Sequence, residues 1–355
     1  MLIETAQTTT PPTTTAATTR AIRRPRSITG PDYILGHRRD PSNRDGGPHA
    51  DLREPHQLHG PGHPERQGGP SRDGGTLRAV TAERLPEYRV KARNTSERSE
   101  NKIHDDAVAR QYGFRGGLVP GVTVYAYMTH PLVEAFGTGW LERGTASVRF
   151  VEPVLDGEEL TVSGSVTARD ERGATTALSA STASAGECAV LTATVPAGTP
   201  TPVNLALYPA RPLPAERPAA TRAHLDGLAV LGTPINAYDE ARAAEYLEKV
   251  NDALPLYRGA GGRVHPGFFV DQANRALDRN LTLGPWIHVG SVVRHLGGAR
   301  VGETLATRGR VRSLFERKGR EFVEVDLVIV AGERARPVAH VLHTAIYRLP
   351  PPAVS

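Results

Sequence analysis

The sequence is poor in the residues that define several classes of protein. Cysteine occurs once in 355 residues, at Cys188. One cysteine excludes an intrachain disulfide framework and a zinc site built from several thiolates, and the chain reads as a protein of a reduced, cytoplasmic compartment. No apolar run approaches the roughly 18 residues that span a bilayer, so no membrane partner is expected. The first residues also lack the unbroken apolar segment of a secretory signal. Basic and acidic residues number 43 and 38, but they are interspersed with no basic and aromatic stripe, so nucleic acid is not an expected partner. Apolar residues are scarce in residues 1–76, where 8–19 is rich in threonine and 60–75 in glycine, proline and charge. Such a stretch cannot bury enough surface to offset its ordering entropy, so it is expected to be a disordered tail.

The rest of the chain carries strong periodic signals. Short strand-like runs at 77–83 and 88–95 precede a polar and glycine-rich segment at 99–121. Residues 121–136 are apolar on nearly every side, which predicts a buried helix, kinked by Pro131 and ended by Gly137 and Gly139. Four strand-like runs follow at 145–154, 159–169, 174–184 and 187–196, separated by turn residues such as Asp156-Gly157. Residues 198–222, with a series of prolines, read as a linker, and then the same order of elements returns. An amphipathic helix at 239–250 precedes an apolar one opened by His265-Pro266-Gly267, and strands follow at 286–296, 304–315, 321–331 and 337–349.

The repeat has a measurable period. Pro120-Gly121 maps to Pro266-Gly267 and Trp140 to Trp286, both 146 apart, while Arg149 maps to Arg294 at 145. The expected organisation is therefore α+β: one domain at 77–197, a linker at 198–222, a second copy at 223–350 and a short tail at 351–355. Each copy would be an antiparallel sheet wrapped round a central helix. The copies should pair edge to edge as a pseudo-dimer, burying strand edges that are otherwise sticky; further homo-oligomerisation is left open.

The chemistry is concentrated in residues 99–121. Asn101 and His104 stand just before a short helical turn, and Pro120-Gly121 opens the apolar helix. On residue types alone, Asn101 and His104 are either a loop-capping pair or an acid/base with its helper. Gly121 is either an ordinary helix start or a backbone amide that holds a carbonyl oxygen as it gains charge. His104-Asp105-Asp106 does not read as a metal site, because adjacent residues on a turning chain rarely face one ion. Cys188 reads as a buried thiol, Trp140 and Trp286 as core anchors, and Arg149 and Arg294 as residues of the fold or interface. His265, His288, His295, His340 and His343 read as mainly structural.

This pattern resembles the MaoC-like (R)-specific enoyl-CoA hydratases and acyl dehydratases, whose site segment runs Asp-x-Asn-Pro-hydrophobic-His, then an acidic residue, Ala, Gly-Phe and a helix-opening Gly. Asn101, Ile103, His104, Asp106, Ala109, Gly113, Phe114 and Gly121 match it; Lys102 replaces the proline, and Ser99 stands where the family has its aspartate. The resemblance implies a tandem (double) hotdog over about 77–350, a thioester of coenzyme A or acyl-carrier protein as substrate, and no metal or other cofactor. It implies hydration of a 2-enoyl thioester or the reverse dehydration. By the same resemblance His104 is the acid/base, Asn101 and Ser99 its catalytic helpers, and Gly121, Gly117 and Val119 the substrate-binding residues. Since Ser99 carries no charge, a carboxylate would have to come from Glu100, Asp105 or Asp106. The second copy reads Asn236-Ala237-Tyr238-Asp239-Glu240, with Tyr238 in the place of His104, and is expected to be a scaffold with a degenerate site. A thioesterase, with Glu134 as the acid of the central helix, and a non-catalytic acyl-thioester binder are the alternatives.

Overall fold

The computed structural model describes residues 83–351. The tail expected at 1–76, most of the run at 77–83, and residues 352–355 lie outside them. In the first half, β1 (Tyr88–Lys91), α1 (Asp106–Gln111) and α2 (Gly121–Arg143) precede β2 (Thr145–Phe150), β3 (Glu159–Asp170), β4 (Gly173–Thr182) and β5 (Gly186–Pro196). After α3 (Arg222–Gly227), the second half brings β6 (Ile235–Tyr238), α4 (Glu240–Lys249) and α5 (Pro266–Asp278). It closes with β7 (Ile287–His295), β8 (Glu303–Arg317), β9 (Arg320–Ala331) and β10 (Arg336–Arg348).

The strands form one antiparallel sheet in the order β1-β3-β4-β5-β2-β7-β10-β9-β8-β6. Replacing each strand by its repeat partner reverses the order, so the sheet is a palindrome. Its centre is the β2–β7 pair, where Ser147 lies opposite Val292, and these two residues are themselves 145 apart. A pseudo-twofold axis therefore passes through that pair, and the halves join edge to edge. Alternation sets the inner face: along β4, Ala174, Thr176, Leu178, Ala180 and Thr182 point inward and are buried. The sheet wraps round α2 and α5, which pack against each other. The fold is a double hotdog of the α+β class.

Two expectations about α2 change. The helix continues to Arg143, and its one non-helical residue is Gly137 at φ 56° and ψ −142°. Glycine reaches that region without a Cβ clash, so the break falls there, and the resumed turn buries Trp140. Pro131 sits within the helix at helical dihedrals. The linker is also more than a spacer. Tyr208 is buried against Val328 and Val330 on the outer face of β9, with its hydroxyl donating to Asp326 at 2.8 Å. Arg294 donates to the Thr201 carbonyl at 2.8 Å, which holds the linker to β7. No helix among the described residues is long and apolar enough to cross a membrane.

The topology also corrects the alignment of the two copies. β6 pairs with β8 as β1 pairs with β3, and the Gly302 amide donates to the Tyr238 carbonyl as the Gly157 amide donates to the Ala92 carbonyl, both at 2.8 Å. Tyr238 is thus the counterpart of Ala92. The counterpart of His104 is Tyr257: both end a 3-10 turn, Lys102–His104 and Pro255–Tyr257. The preceding residues in those turns, Ile103 and Leu256, accept equivalent backbone bonds from Leu118 and Arg263.

Candidate active site at the head of α2

The 3-10 turn is capped by Asn101, whose side-chain oxygen accepts from the Ile103 amide at 3.3 Å, and Ile103 anchors it in an apolar cluster. This aims the His104 ring at the head of α2. His104 Nδ1 lies 2.6 Å from the Leu118 carbonyl oxygen. A carbonyl only accepts, so Nδ1 carries the hydrogen and Nε2 keeps its lone pair. That lone pair faces Asn101 Nδ2 at 3.3 Å. Burial, aided by the positive charge of Lys249, holds the imidazole below its ordinary range against the pull of the Leu118 carbonyl. The ring is a neutral base at neutral pH.

Helix α2 begins with no side-chain cap. The Thr123 and Val124 amides both donate to the Pro120 carbonyl, at 2.8 and 3.1 Å. Among the described residues, the Gly121 and Val122 amides find no acceptor, so the positive end of the helix is open. Gly121 is also held to glycine by its neighbours: a Cβ there would lie 2.9 Å from His288 Nδ1 and 3.1 Å from the Phe150 ring.

These groups border a narrow cleft walled by apolar residues including Leu118, Val119, Val124 and Phe150. Glu152, Asn274 and His288 are polar residues of the same lining. The cleft continues into a wider mouth of about 560 Å³ that shares Asn101, His104, Pro120, Asn274 and Trp286. The mouth is charged, with Arg217, Lys249, Arg275 and Arg279 opposite Glu100, Asp271 and Asp278. Burial pushes the Asp271 carboxyl up, but Lys249 at 3.0 Å and Arg275 at 3.2 Å outweigh it and keep the group ionised. Asp278 has no such partner at its buried Oδ1, and burial pushes it up to about 6.

Each residue singled out from the sequence now has a place. His104, Asn101, Gly121 and Val119 line the cleft. Ser99 lies in the outer mouth, its hydroxyl donating to the Asn101 carbonyl at 3.3 Å, and it does not reach His104. Gly117 lines neither space; a side chain there would collide with the His104 carbonyl, and its amide donates to Asp106 at 2.7 Å. Its role is to support the His104 turn. Asn101 is a tie between the halves, because its amide donates to the Trp286 carbonyl at 2.9 Å and accepts from the Trp286 amide at 3.1 Å.

Among the described residues no carboxylate bonds to His104. Glu100 is exposed and paired with Arg217 at 2.8 Å. Asp105 caps α1 through the Val108 amide at 3.0 Å, and Asp106 holds Gly117 and Arg110. Glu134 is exposed, 3.8 Å from His130. The acid of the cleft is Glu152, which follows β2 where the chain leaves the sheet, its amide donating to the Cys188 carbonyl at 3.2 Å. Cys188 is buried, and burial pushes its thiol up, as suits a structural residue. Glu152, Asn274 and His288 were not legible as site residues. Only the register of β7 and the packing of α5 against α2 bring the latter two there; the one local sign was a histidine in the otherwise apolar start of β7.

No family model and no curated protein matches the sequence. Solved structures similar to it include a double-hotdog protein of Mycobacterium tuberculosis, at 15% identity over 74% of this chain and 96% of that chain, with TM-score 0.49. A MaoC-like dehydratase is similar at 13% identity over 74% and 98% of the two chains, TM-score 0.46. So is an acyl-CoA thioesterase II of Mycobacterium marinum, at 14% identity over 64% and 90%, TM-score 0.41. By its own topology this chain is a double hotdog in which one helix head opens onto an apolar cleft.

Proposed function

We propose that the protein is a hydro-lyase that interconverts 2-enoyl and 3-hydroxyacyl thioesters at the head of α2. The observation that carries this reading is the meeting, in one apolar cleft, of a neutral imidazole whose Nε2 keeps its lone pair, with only the Asn101 amide at 3.3 Å against it, and helix-start amides without acceptors among the described residues. The apolar walls suit the acyl chain, and the cationic side chains of the mouth suit a phosphate-bearing carrier.

In this mechanism His104 works without a carboxylate. Its Nε2 takes a proton from water as the water oxygen bonds to Cβ of the enoyl chain. The π electrons move onto the thioester oxygen, where the Gly121 amide stabilises the enolate. The enolate then collapses, and the imidazolium returns its proton to Cα. One water has been added and His104 is regenerated; dehydration is the reverse.

A non-catalytic acyl-thioester binder is the second reading. It is favoured by the lack, among the described residues, of a carboxylate bonded to His104 and by the commitment of Asn101 to Trp286. The test follows enoyl absorbance and free thiol together, with crotonyl-CoA and trans-2-octenoyl-CoA and the full-length chain. Hydration that disappears in His104→Ala supports the hydro-lyase. Binding with neither hydration nor thiol release would replace it by the binder, and thiol release alone would favour a thioesterase, with Glu152 the carboxylate to mutate next.

A further inference from the structure

Resting on the hydro-lyase reading, we infer that His288, from the second half of the chain, is a catalytic residue whose Nδ1–H donates to the thioester carbonyl oxygen at the head of α2. It would be the second donor beside the Gly121 amide. His288 is 6% exposed, lines the cleft and leaves Nδ1 without a hydrogen-bond partner among the described residues. Its Nδ1 lies 2.9 Å from where a Gly121 Cβ would be, so ring and helix head border the same small volume. The ring cannot swing away: it stacks on His343 with centroids 4.1 Å apart and meets the Phe150 ring edge-on at 4.8 Å.

The buried partners decide where the proton sits. His288 Nε2 is 2.9 Å from Ser291 Oγ, which is 3.0 Å from His343 Nδ1. A hydroxyl has one hydrogen to donate and two lone pairs; if both rings donated to Ser291 its own buried hydrogen would be stranded, so two arrangements remain. In one, His288 Nε2–H donates to Ser291, which donates to His343 Nδ1; the proton of His343 is then on Nε2, which is buried and has no partner. In the other, His343 Nδ1–H donates to Ser291, which donates to His288 Nε2. The proton of His288 is then on Nδ1, which is buried as well, but His288 lines the cleft and His343 lines neither space, so a carbonyl oxygen bound at the helix head can accept it. The first strands an N–H in a closed interior and the second leaves only a lone pair there. Because an unsatisfied buried donor costs its desolvation, the second is favoured. Burial holds both imidazoles far below their ordinary range, His343 at about 3. His288 is accordingly a neutral donor that polarises a carbonyl without transferring its proton.

The test separates this role from hydration. A hexanoyl-dethia-CoA ketone, in which methylene replaces the thioester sulfur, is resistant to both hydration and hydrolysis. Its carbonyl, labelled with carbon-13, is followed by isotope-edited infrared spectroscopy on the full-length protein. The bound carbonyl should move to lower wavenumber in the wild type and in His104→Ala, and lose part of that shift in His288→Ala. With enoyl substrates, His288→Ala should lower kcat about 10²-fold with KM little changed. Ser291→Ala leaves the ring in place but removes the hydroxyl that orients its proton, and should lose a smaller part of the shift; it carries the test if His288→Ala does not fold. An unchanged carbonyl frequency in a folded His288 variant, or in Ser291→Ala when the His288 variant does not fold, or no binding of the ketone by the wild type, overturns the inference. A shift that depends on His288 with no hydration in any sample leaves it standing and removes the hydro-lyase reading instead.

Discussion

α2 and α5 start from the same Pro-Gly step and lie side by side under one symmetric sheet, yet their heads are chemically opposite. At α2 the capping residue is Pro120, which offers no side-chain acceptor, and the first amides face a cleft. At α5 it is His265, fully buried, whose Nδ1 accepts from the Gly267 amide at 3.0 Å while its Nε2 contacts Asp252 at 3.1 Å. Tyr238, Tyr246, Tyr257 and Phe268 fill the surrounding space. The same fold thus makes a binding site or a core, depending on whether side chains already occupy the helix N-terminus. The lesson is that the open head has given up packing and capping that the closed head retains.

The largest test of that contrast exchanges the two histidines for alanine. His265→Ala removes a cap and a buried partner of Asp252, which also lies 3.1 Å from His130; it should lower unfolding free energy by about 3–5 kcal/mol in urea denaturation. His104→Ala should lose about 1 kcal/mol while abolishing hydration. Equal losses of stability would mean that His104 is a structural residue like His265.

Glycine substitutions probe the same asymmetry. A Cβ on Gly267 would lie 2.6 Å from Ala126 Cβ and 2.7 Å from the Tyr246 hydroxyl, inside packed core. Gly267→Ala should destabilise by about 3 kcal/mol, the upper end for overpacking. Gly121→Ala presses on His288 and Phe150 and should show chiefly as weakened acyl-thioester binding in titration calorimetry. A Gly267→Ala variant of wild-type stability would show that the second head is less tightly filled than the contacts indicate.

Asn101→Ala cuts the tie between the halves at Trp286 and removes the cap of the Lys102–His104 turn. About 2 kcal/mol should be lost in thermal unfolding, together with activity as the His104 turn loosens. Loss of activity at unchanged stability would instead assign Asn101 to the chemistry alone.

The buried rings also set a pH dependence. Burial lowers His295 and His343 from 6.5 to about 3, and His288 moves the same way. Between those values the unfolded chain binds more protons than the folded one, so stability is lost as pH falls below about 6.5. The slope should be on the order of 1 kcal/mol per pH unit for each group. Asp278, raised from 3.8 to about 6, acts in the opposite sense over its interval and offsets part of this. Urea midpoints compared at about pH 7.5 and about pH 5.5 should fall on acidification. His295→Leu should flatten the slope, and a flat wild-type profile would contradict the burial of these rings.

Much of the fold was legible because its causes are local. Alternation fixed the strands to within a few residues, and the recurrence of Pro-Gly, Trp and Arg at offsets of 145 and 146 exposed the duplication. The alignment of Tyr238 with His104 failed because Asn236-Ala237-Tyr238 resembles the first motif locally, whereas β6 is placed by its long-range pairing with β8. Gly117 failed differently: its neighbour is the backbone of His104 rather than a ligand space. Neither error could be corrected from the composition of the segments concerned.

The sequence by itself determined two hotdog copies, their edge-to-edge pairing and the polar motif before α2, because patterning, turn chemistry and repeat spacing act over a few residues at a time. The tertiary structure alone decided which helix head stays open, that Asn101 clasps Trp286, and that His288 arrives over Gly121. Those outcomes depend on sheet register and on which side chains fill a shared interior. They join residues 167 and 185 positions apart, a separation across which only the folded packing fixes distance and direction.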